Sequence, residues 1–133
     1  MKLLLDTSAY SALMRGQPDV VDRVRNTEAI VLSAVVAAEL FLGFRLGTRF
    51  KKNMDEFTAF LDNRHVSFVA VSLTTADRCS RIAADLRRKG RPIPTNDMWI
   101  AAHTIETGAE LLSSDDHFEA IDGLVWTRIA PHP

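Results

Sequence analysis

The sequence predicts an α/β fold, a three-layer sandwich with a central, mainly parallel sheet and helices on both faces. Short apolar runs, such as Lys2–Leu5, Ala29–Leu32 and Glu110–Ser113, alternate with segments of helical periodicity. Strands this short and this apolar are typical of a parallel sheet that is buried on both faces. The length of 133 residues, with no linker or repeat, predicts a single domain over residues 1–133.

Local signals in the first half of the chain define its elements. Asp6 stops the first apolar run and suits the start of a helix. Ser33 is a typical N-cap for a helix that runs to about Leu46 and ends near Gly47. The remaining predicted elements are a short helix around Val20–Val24, a helix over Phe50–Asp62 and a strand over Val66–Val71.

The second half begins with a helix that opens at Thr74 or Thr75 and ends at Gly90. The prolines of Arg91–Pro94 prevent that helix from continuing. Thr95–Asn96 are expected to cap the next helix. The remaining predicted elements are this helix over Asp97–Thr107, a strand over Glu110–Ser113, a short helix over Asp115–Ile121 and a last strand over Leu124–Ile129.

Composition excludes several classes of protein. The single cysteine, Cys79, cannot form an intrachain disulfide, and no Cys/His cluster of the structural zinc type is present. The longest nearly apolar run, Ala29–Ala38, is far shorter than the roughly 20 residues that span a bilayer. Asp6 interrupts the N-terminal apolar run too early for a signal peptide. We therefore expect a soluble, cytoplasmic protein with no membrane segment.

The net charge of -1 conceals an uneven distribution. Residues 45–91 hold eleven basic and five acidic side chains, a net +6, and the remainder holds five basic and twelve acidic side chains, a net -7. The basic middle is suited to a polyanion and the acidic ends to a cation. The alternative is that both are solvated surface.

Four acids are expected to meet at the carboxyl edge of the sheet, where ligands bind in folds of this kind. Asp6 follows the first strand, Asp115 follows the fourth, Asp97 opens a helix, and Glu39 lies about two turns into the helix after the second strand. Each acid also has an ordinary explanation. Asp6 and Asp115 are suited to capping helices, and Asp97 complements a helix dipole.

Glu39 is harder to explain structurally, because its helical neighbours are apolar and a buried carboxylate needs a partner. The sequence offers no cation nearby, so we expect a metal ion or a distant arginine to pair with it. Clustered carboxylates repel one another, and a hard divalent cation removes that cost. Oxygen ligands favour Mg²⁺, with Mn²⁺ as the alternative, and such a site suits phosphodiester hydrolysis.

Other chemistries have less support. The sequence contains no GxSxG, GxGxxG or GxxxxGK[ST] motif. His65 is expected in a turn or at a strand start, and His132 at the terminus. His103 is expected as a surface or satisfied side chain rather than a ligand. His117, beside Asp116, remains a candidate for approaching phosphate.

Four segments of the chain resemble the PIN domain and, more narrowly, the VapC-type toxins of bacterial type II toxin–antitoxin pairs. The segments are Leu3–Ser8 (LLLDTS), Ser33–Leu40 (SAVVAAEL), Pro94–Ala102 (PTNDMWIAA) and Leu111–Phe118 (LLSSDDHF). Each motif is weak alone, but the four occur in order at suitable spacing, and the resemblance runs from Lys2 to about Val125.

The resemblance implies a Mg²⁺- or Mn²⁺-dependent endoribonuclease that cleaves structured RNA, often tRNA. It also implies a homodimer and a small VapB-type antitoxin that covers the active site. Asp116 stands where the family has a variable residue, so it is either a fifth acid or a surface charge. The resemblance assigns catalytic and metal-binding roles to Asp6, Glu39, Asp97 and Asp115, and supporting roles to Thr7, Ser8, Asn96 and Ser113.

Three other functions have weaker support. A haloacid dehalogenase-type phosphatase needs Asp-x-Asp at the first strand, where this chain has Ser8. A phospho-acceptor receiver domain needs a late lysine, and none follows Lys89. A catalytically silent RNA- or protein-binding module is disfavoured because all four acids are present. For an RNA substrate, the candidate binding residues are Arg45, Arg49, Lys51, Lys52, Arg87 and Arg88.

Overall fold

The computed structural model describes residues 1–133 and contains a five-stranded, all-parallel sheet in the order β3-β2-β1-β4-β5. The strands are β1 (Lys2–Leu5), β2 (Ala29–Ser33), β3 (Val66–Val69), β4 (Glu110–Ser113) and β5 (Trp126–Arg128). The helices are α1 (Thr7–Met14), α2 (Pro18–Arg25), α3 (Ala34–Leu46), α4 (Phe50–Asp62), α5 (Leu73–Lys89) and α6 (Thr95–Thr107), with a 3₁₀ helix at Asp116–Ala120. The predicted α/β class and central parallel sheet are confirmed.

Two hydrophobic clusters cover the two faces of the sheet. Successive residues of a strand point to opposite faces, so Leu4 belongs to one cluster while Leu3 and Leu5 belong to the other. The larger cluster packs the sheet against α3, α5 and α6, and the smaller packs it against α1 and α2. The result is the three-layer sandwich that the apolar strands predict.

Both edge strands are shorter than predicted. The predicted strand over Val66–Val71 ends at Val69, which pairs with Ser33 at the end of β2. Ala70 and Val71 have no further ladder partner, and the Ala70 carbonyl is hydrogen-bonded to His103 instead. The predicted strand over Leu124–Ile129 likewise shortens to β5, because Arg128 pairs with Ser113, where β4 ends. An edge strand can extend only as far as its single neighbour.

Three helix starts also differ from prediction. α5 begins at Leu73 rather than at Thr74 or Thr75, because Ser72 and Thr75 form a capping box. α6 begins at Thr95 rather than Asp97, and the Asn96 side chain does not cap it. The segment predicted as a short helix over Asp115–Ile121 is the 3₁₀ helix, with Asp115 as its N-cap.

His103 joins α6 to the sheet from a fully buried position. Its Nδ1 lies 2.7 Å from Ser33 Oγ, and its Nε2 lies 3.2 Å from the Ala70 carbonyl oxygen. The carbonyl can only accept, so Nε2 carries the proton and Nδ1 accepts from the serine. Burial lowers the pKa of His103, which keeps the ring neutral. Of the two roles predicted for His103, a surface or a satisfied side chain, the structure shows the second.

The helices are all too short or too polar to cross a membrane. The longest of them, α5, spans Leu73–Lys89 and carries several charged side chains.

Candidate active site

The four predicted acids lie at the carboxyl edge of the sheet, where β1, β2 and β4 end side by side. Asp6 follows β1, Asp115 follows β4 by two residues, Glu39 is on α3, and Asp97 is on the first turn of α6. We call these four residues the acidic cluster. Burial raises the pKa of Asp97, and the charges of Asp115 and Glu39 raise it further. Asp97 is therefore the electrostatic centre of the cluster.

Asp6 is buried and held by three donors. Ser8 Oγ donates to Asp6 Oδ1 over 2.6 Å, the Ala9 backbone N–H donates to the same oxygen over 2.9 Å, and Ser113 Oγ donates to Oδ2. Burial raises the pKa of Asp6 more than these hydrogen bonds lower it, and the charge of Asp97 adds to the rise. The hydrogen bond from Ala9 makes Asp6 the N-cap of α1, which is its ordinary role. The effect of the Asp97 charge on its pKa makes Asp6 a member of the acidic cluster as well.

Glu39 accepts hydrogen bonds from two side chains of neighbouring helices. Thr7 Oγ1 donates to Glu39 Oε1 over 2.6 Å, and Asn96 Nδ2 donates to Oε2 over 3.2 Å. Two neutral donors therefore satisfy part of the need for a partner that the sequence predicts, and the predicted metal ion remains a prediction. Glu39 is only half-buried, and neutral donors from α1 and α6 hold it.

Asp97 and Asp115 are bridged by His117. His117 Nδ1 lies 3.0 Å from Asp97 Oδ2 and 3.0 Å from Asp115 Oδ1. The hydrogen bond to Asp97, together with the charges of both acids, raises the pKa of His117. Desolvation raises the pKa of Asp97, despite the hydrogen bond from His117. Two carboxylates that converge on one ring nitrogen indicate that this position favours a cation.

Ser113 couples the two halves of the cluster. Its hydroxyl donates to Asp6 and accepts from the Asp115 backbone N–H over 3.0 Å. Ser8 accepts from the Ser114 backbone N–H over 3.1 Å and so ties α1 to the end of β4. The four supporting residues thus all contact the acidic cluster or the backbone beside it; they are Thr7, Ser8, Asn96 and Ser113.

The donor set fits a hard divalent cation. One ligand atom from each of Asp97, Asp115 and His117 can be chosen so that all three lie within 4.8 Å of one another. The charges of Asp6 and Glu39 are coupled to the same centre through Asp97. Carboxylate oxygens in excess over nitrogen favour Mg²⁺ or Mn²⁺, and an imidazole is also compatible with Mn²⁺.

The structure separates the neighbouring residues Asp116 and His117. The Asp116 side chain forms an exposed ion pair with Arg128 at 3.2 Å and makes no hydrogen bond or ion pair with the acidic cluster. His117, a sequence candidate only for phosphate contact, lies inside the cluster. A signal for His117 is present in the sequence, because it stands two residues after Asp115, the acid that follows β4. This spacing places Asp115 and His117 on the same turn.

The candidate RNA-binding residues divide into paired and unpaired groups. Lys51 and Lys52 are bound to Asp55 and Glu56 on the same helix, and Arg45 lies over the Phe50 ring. Their charges are therefore partly neutralised or shielded. By contrast, three exposed side chains form no ion pair; they are Arg49, Arg87 and Arg88.

Comparison with known proteins agrees with the fold. Residues 3–124 match the family model of the PIN domain. The chain belongs to the PIN domain family. Among its relatives, Ribonuclease VapC1 of Haemophilus influenzae is 26% identical over 131 residues, covering 95% of this chain and 96% of the relative. The tRNA(fMet)-specific endonuclease VapC of Salmonella typhimurium is 25% identical over 127 residues, covering 93% and 95%.

Solved structures of VapBC complexes are similar to this chain in fold as well as in sequence. The VapBC-1 structure from nontypeable Haemophilus influenzae has a TM-score of 0.84 and 26% identity, covering 96% of this chain and 98% of that one. VapBC2 from Rickettsia felis, solved with a DNA fragment from its promoter, has a TM-score of 0.83 and 24% identity with the same coverage. The chain therefore has the fold of VapC-type PIN domains over almost its full length.

Proposed function

We propose that this PIN domain protein is a Mg²⁺-dependent endoribonuclease, with Mn²⁺ as an alternative ion, that acts as the toxin of a toxin–antitoxin pair. The observation that carries the proposal is the acidic cluster, four carboxylates at the carboxyl edge of a parallel sheet. The VapC ribonucleases similar to this chain along nearly all of its length support the nuclease activity. These relatives do not favour a haloacid dehalogenase-type phosphatase or a silent binding module.

The residues of the cluster have separate tasks in this proposal. Its four acids would hold the divalent cation, and that ion would supply Lewis-acid activation of a water and charge compensation for the phosphate. Ser8 and Ser113 fix the orientation of Asp6, and Thr7 and Asn96 fix that of Glu39. When the cation binds, His117 either loses its contacts with Asp97 and Asp115 or becomes a ligand of the cation beside them. Asp116 is assigned to the surface.

The substrate is proposed to be structured RNA such as tRNA, because one relative is a tRNA(fMet)-specific endonuclease. An acidic site repels RNA, so nearby cations must attract the phosphates. Of the candidate basic residues, the unpaired Arg49, Arg87 and Arg88 are best suited to this role. One expected partner is a small VapB-type antitoxin that covers the acidic cluster, and the VapBC complexes among similar structures support it. The other is a second copy of the chain, which the family resemblance implies.

A cleavage assay with matched acid variants tests the proposal. Asp97→Asn removes the charge that couples the cluster and should reduce cleavage of tRNA by at least about a hundred-fold, a loss typical for a group that acts on the transition state. Asp116→Asn removes the same charge outside the cluster and should leave the rate almost unchanged. Growth arrest on expression should follow the same order. Equal activity of wild type and Asp97→Asn would contradict the proposal.

A further inference from the structure

Trp99 occupies a distinctive position beside the acidic cluster. It lies on α6, two residues after Asp97 and one helical turn after Asn96, whose amide donates to Glu39. The side chain is half-buried, and its indole N–H makes no hydrogen bond within the chain. The other tryptophan, Trp126, donates its indole N–H to the Ser113 carbonyl oxygen over 3.3 Å. Trp99 is therefore the tryptophan whose hydrogen-bonding capacity is unused.

Two clefts border Trp99. The first has a volume of about 320 Å³ and lies between α3 and α6, with Asn96 at its polar end. Its apolar lining consists of Ala34, Val35, Ala38, Val71 and Trp99. Because Asn96 contacts Glu39, this cleft opens directly beside the acidic cluster.

The second cleft has a volume of about 290 Å³ and lies between α5 and α6. It is bordered by Trp99, Thr95 and Arg87. Arg87 forms no ion pair, whereas two other basic residues of α5, Arg81 and Lys89, are bound to acids. An aromatic ring thus lies between an apolar cleft and an available guanidinium group.

We propose that Trp99 is a stacking platform for an unpaired nucleobase next to the cleaved phosphodiester, with the base seated in the cleft between α3 and α6. This inference rests on the proposed ribonuclease activity and names the part of the RNA that the site recognises. Bases stack on aromatic side chains with little dependence on their identity, and guanidinium groups bind the adjoining phosphates. Arg87 supplies the charge complementarity that favours a nucleotide over an apolar peptide.

The test compares an intact oligoribonucleotide with versions that carry one abasic nucleotide at successive positions around the cut. In wild type, one abasic position should lower kcat/KM at least about five-fold, mainly through KM, which is the lower end of the range for stacking one base. Trp99→Leu should lose about as much on intact RNA and nothing further on the abasic RNA. Trp99→Phe, which keeps an aromatic ring, should retain most of the activity. Leu73→Ala, at an exposed residue outside both clefts, is the matched control.

Indole fluorescence provides a readout that does not depend on cleavage. RNA should quench the fluorescence of wild type, and Trp99→Phe, which retains Trp126, should lose that quenching. A wild type that binds RNA with quenching but does not cleave it contradicts the ribonuclease function and supports the stacking site. If Trp99→Leu cleaves both RNAs as wild type does, the stacking site is overturned. The stacking site is also overturned if Trp99→Leu lowers only the mass measured by sedimentation and leaves cleavage unchanged. A second copy of the chain would then cover the cleft.

Discussion

The hydroxyl of Thr7 has one visible task, which is to hold Glu39 Oε1 at 2.6 Å. Thr7→Val removes the hydroxyl and keeps the shape of the side chain. Without this donor, Glu39 retains only Asn96 and samples other rotamers, so the acidic cluster is less well ordered. Losses of about 10–100-fold are typical when a group that orients a metal ligand is removed. We expect a loss of this size in Mg²⁺ affinity or cleavage rate, measured with purified protein.

Thr58→Val is the control for this change. Thr58 is exposed on α4 and makes no contact with the acidic cluster, so the same loss of a hydroxyl should leave affinity and rate unchanged. If Thr7→Val and Thr58→Val both behave as wild type, then Thr7 does not position Glu39.

The positions of individual acids can be read from the sequence, but their partners cannot. Asp6 and Asp115 follow apolar runs, and an acid after a parallel strand must lie at the carboxyl edge. The contact between Asn96 and Glu39 joins residues 57 apart and depends on how α6 docks against α3. Local signals instead assign Asn96 to the helix cap. His117 reaches Asp97 because the 3₁₀ helix turns it back, which no periodicity predicts.

At the scale of elements, a charged network at the start of β4 joins three segments. Glu110 pairs with Arg23 on α2 and accepts from Thr127 on β5. Burial alone would raise the pKa of Glu110, but the hydrogen bonds from Arg23 and Thr127 together lower it. The ionised form is therefore stabilised in the fold. Because the Arg23 side chain is 41% exposed, solvent reduces the strength of the pair.

The pH dependence of stability tests this network. A lowered pKa means that Glu110 stabilises the fold fully above the ordinary glutamate pKa of about 4.3 and loses that contribution as pH falls through the lowered value. Glu110→Gln removes the titration. We expect wild type to have the higher Tm at neutral pH and the difference to close as pH falls below about 4.3. A difference that stays constant or widens on acidification would contradict the assignment.

The sequence predicts the boundaries of an element when the signal lies within that element. It does not predict them when the position of a neighbouring element determines where the strand or helix ends. The apolar runs of β1, β2 and β4 form strands at the predicted positions because these strands are central and buried on both faces. Ala70 and Val71 are apolar enough to extend β3, yet β3 ends at Val69 because β2 ends beside it. At α5, the sequence predicts a start at Thr74 or Thr75, but the capping box between Ser72 and Thr75 moves the start to Leu73.

For the molecule as a whole, the acidic cluster lowers the stability of the metal-free fold, although the proposed activity requires it. Burial, and the charge of Asp97, raise the pKa of Asp6 in the fold. A raised carboxyl pKa means that stability is lost as pH rises from the ordinary value through the raised one, so ionised Asp6 destabilises the metal-free protein at neutral pH. Such a cost is common at sites that are kept for function.

Asp6→Asn should therefore raise the Tm of the protein in EDTA at neutral pH by a few degrees. Asparagine is as good an N-cap as aspartate, so α1 keeps its start. Asp116→Asn, which removes a charge outside the cluster, should leave the Tm nearly unchanged. A Tm that falls by several degrees in Asp6→Asn would mean that Asp6 is chiefly a structural cap.

Removing and restoring the metal shows whether the acidic cluster holds a divalent cation for RNA cleavage. Purified wild-type protein is incubated with tRNA in excess EDTA, after which Mg²⁺ or Mn²⁺ is added in excess of the chelator. We expect no cleavage in EDTA, recovery of cleavage with either ion in wild type and in Asp116→Asn, and no recovery in Asp97→Asn. Cleavage that persists in EDTA, or that returns equally in Asp97→Asn, would contradict the account.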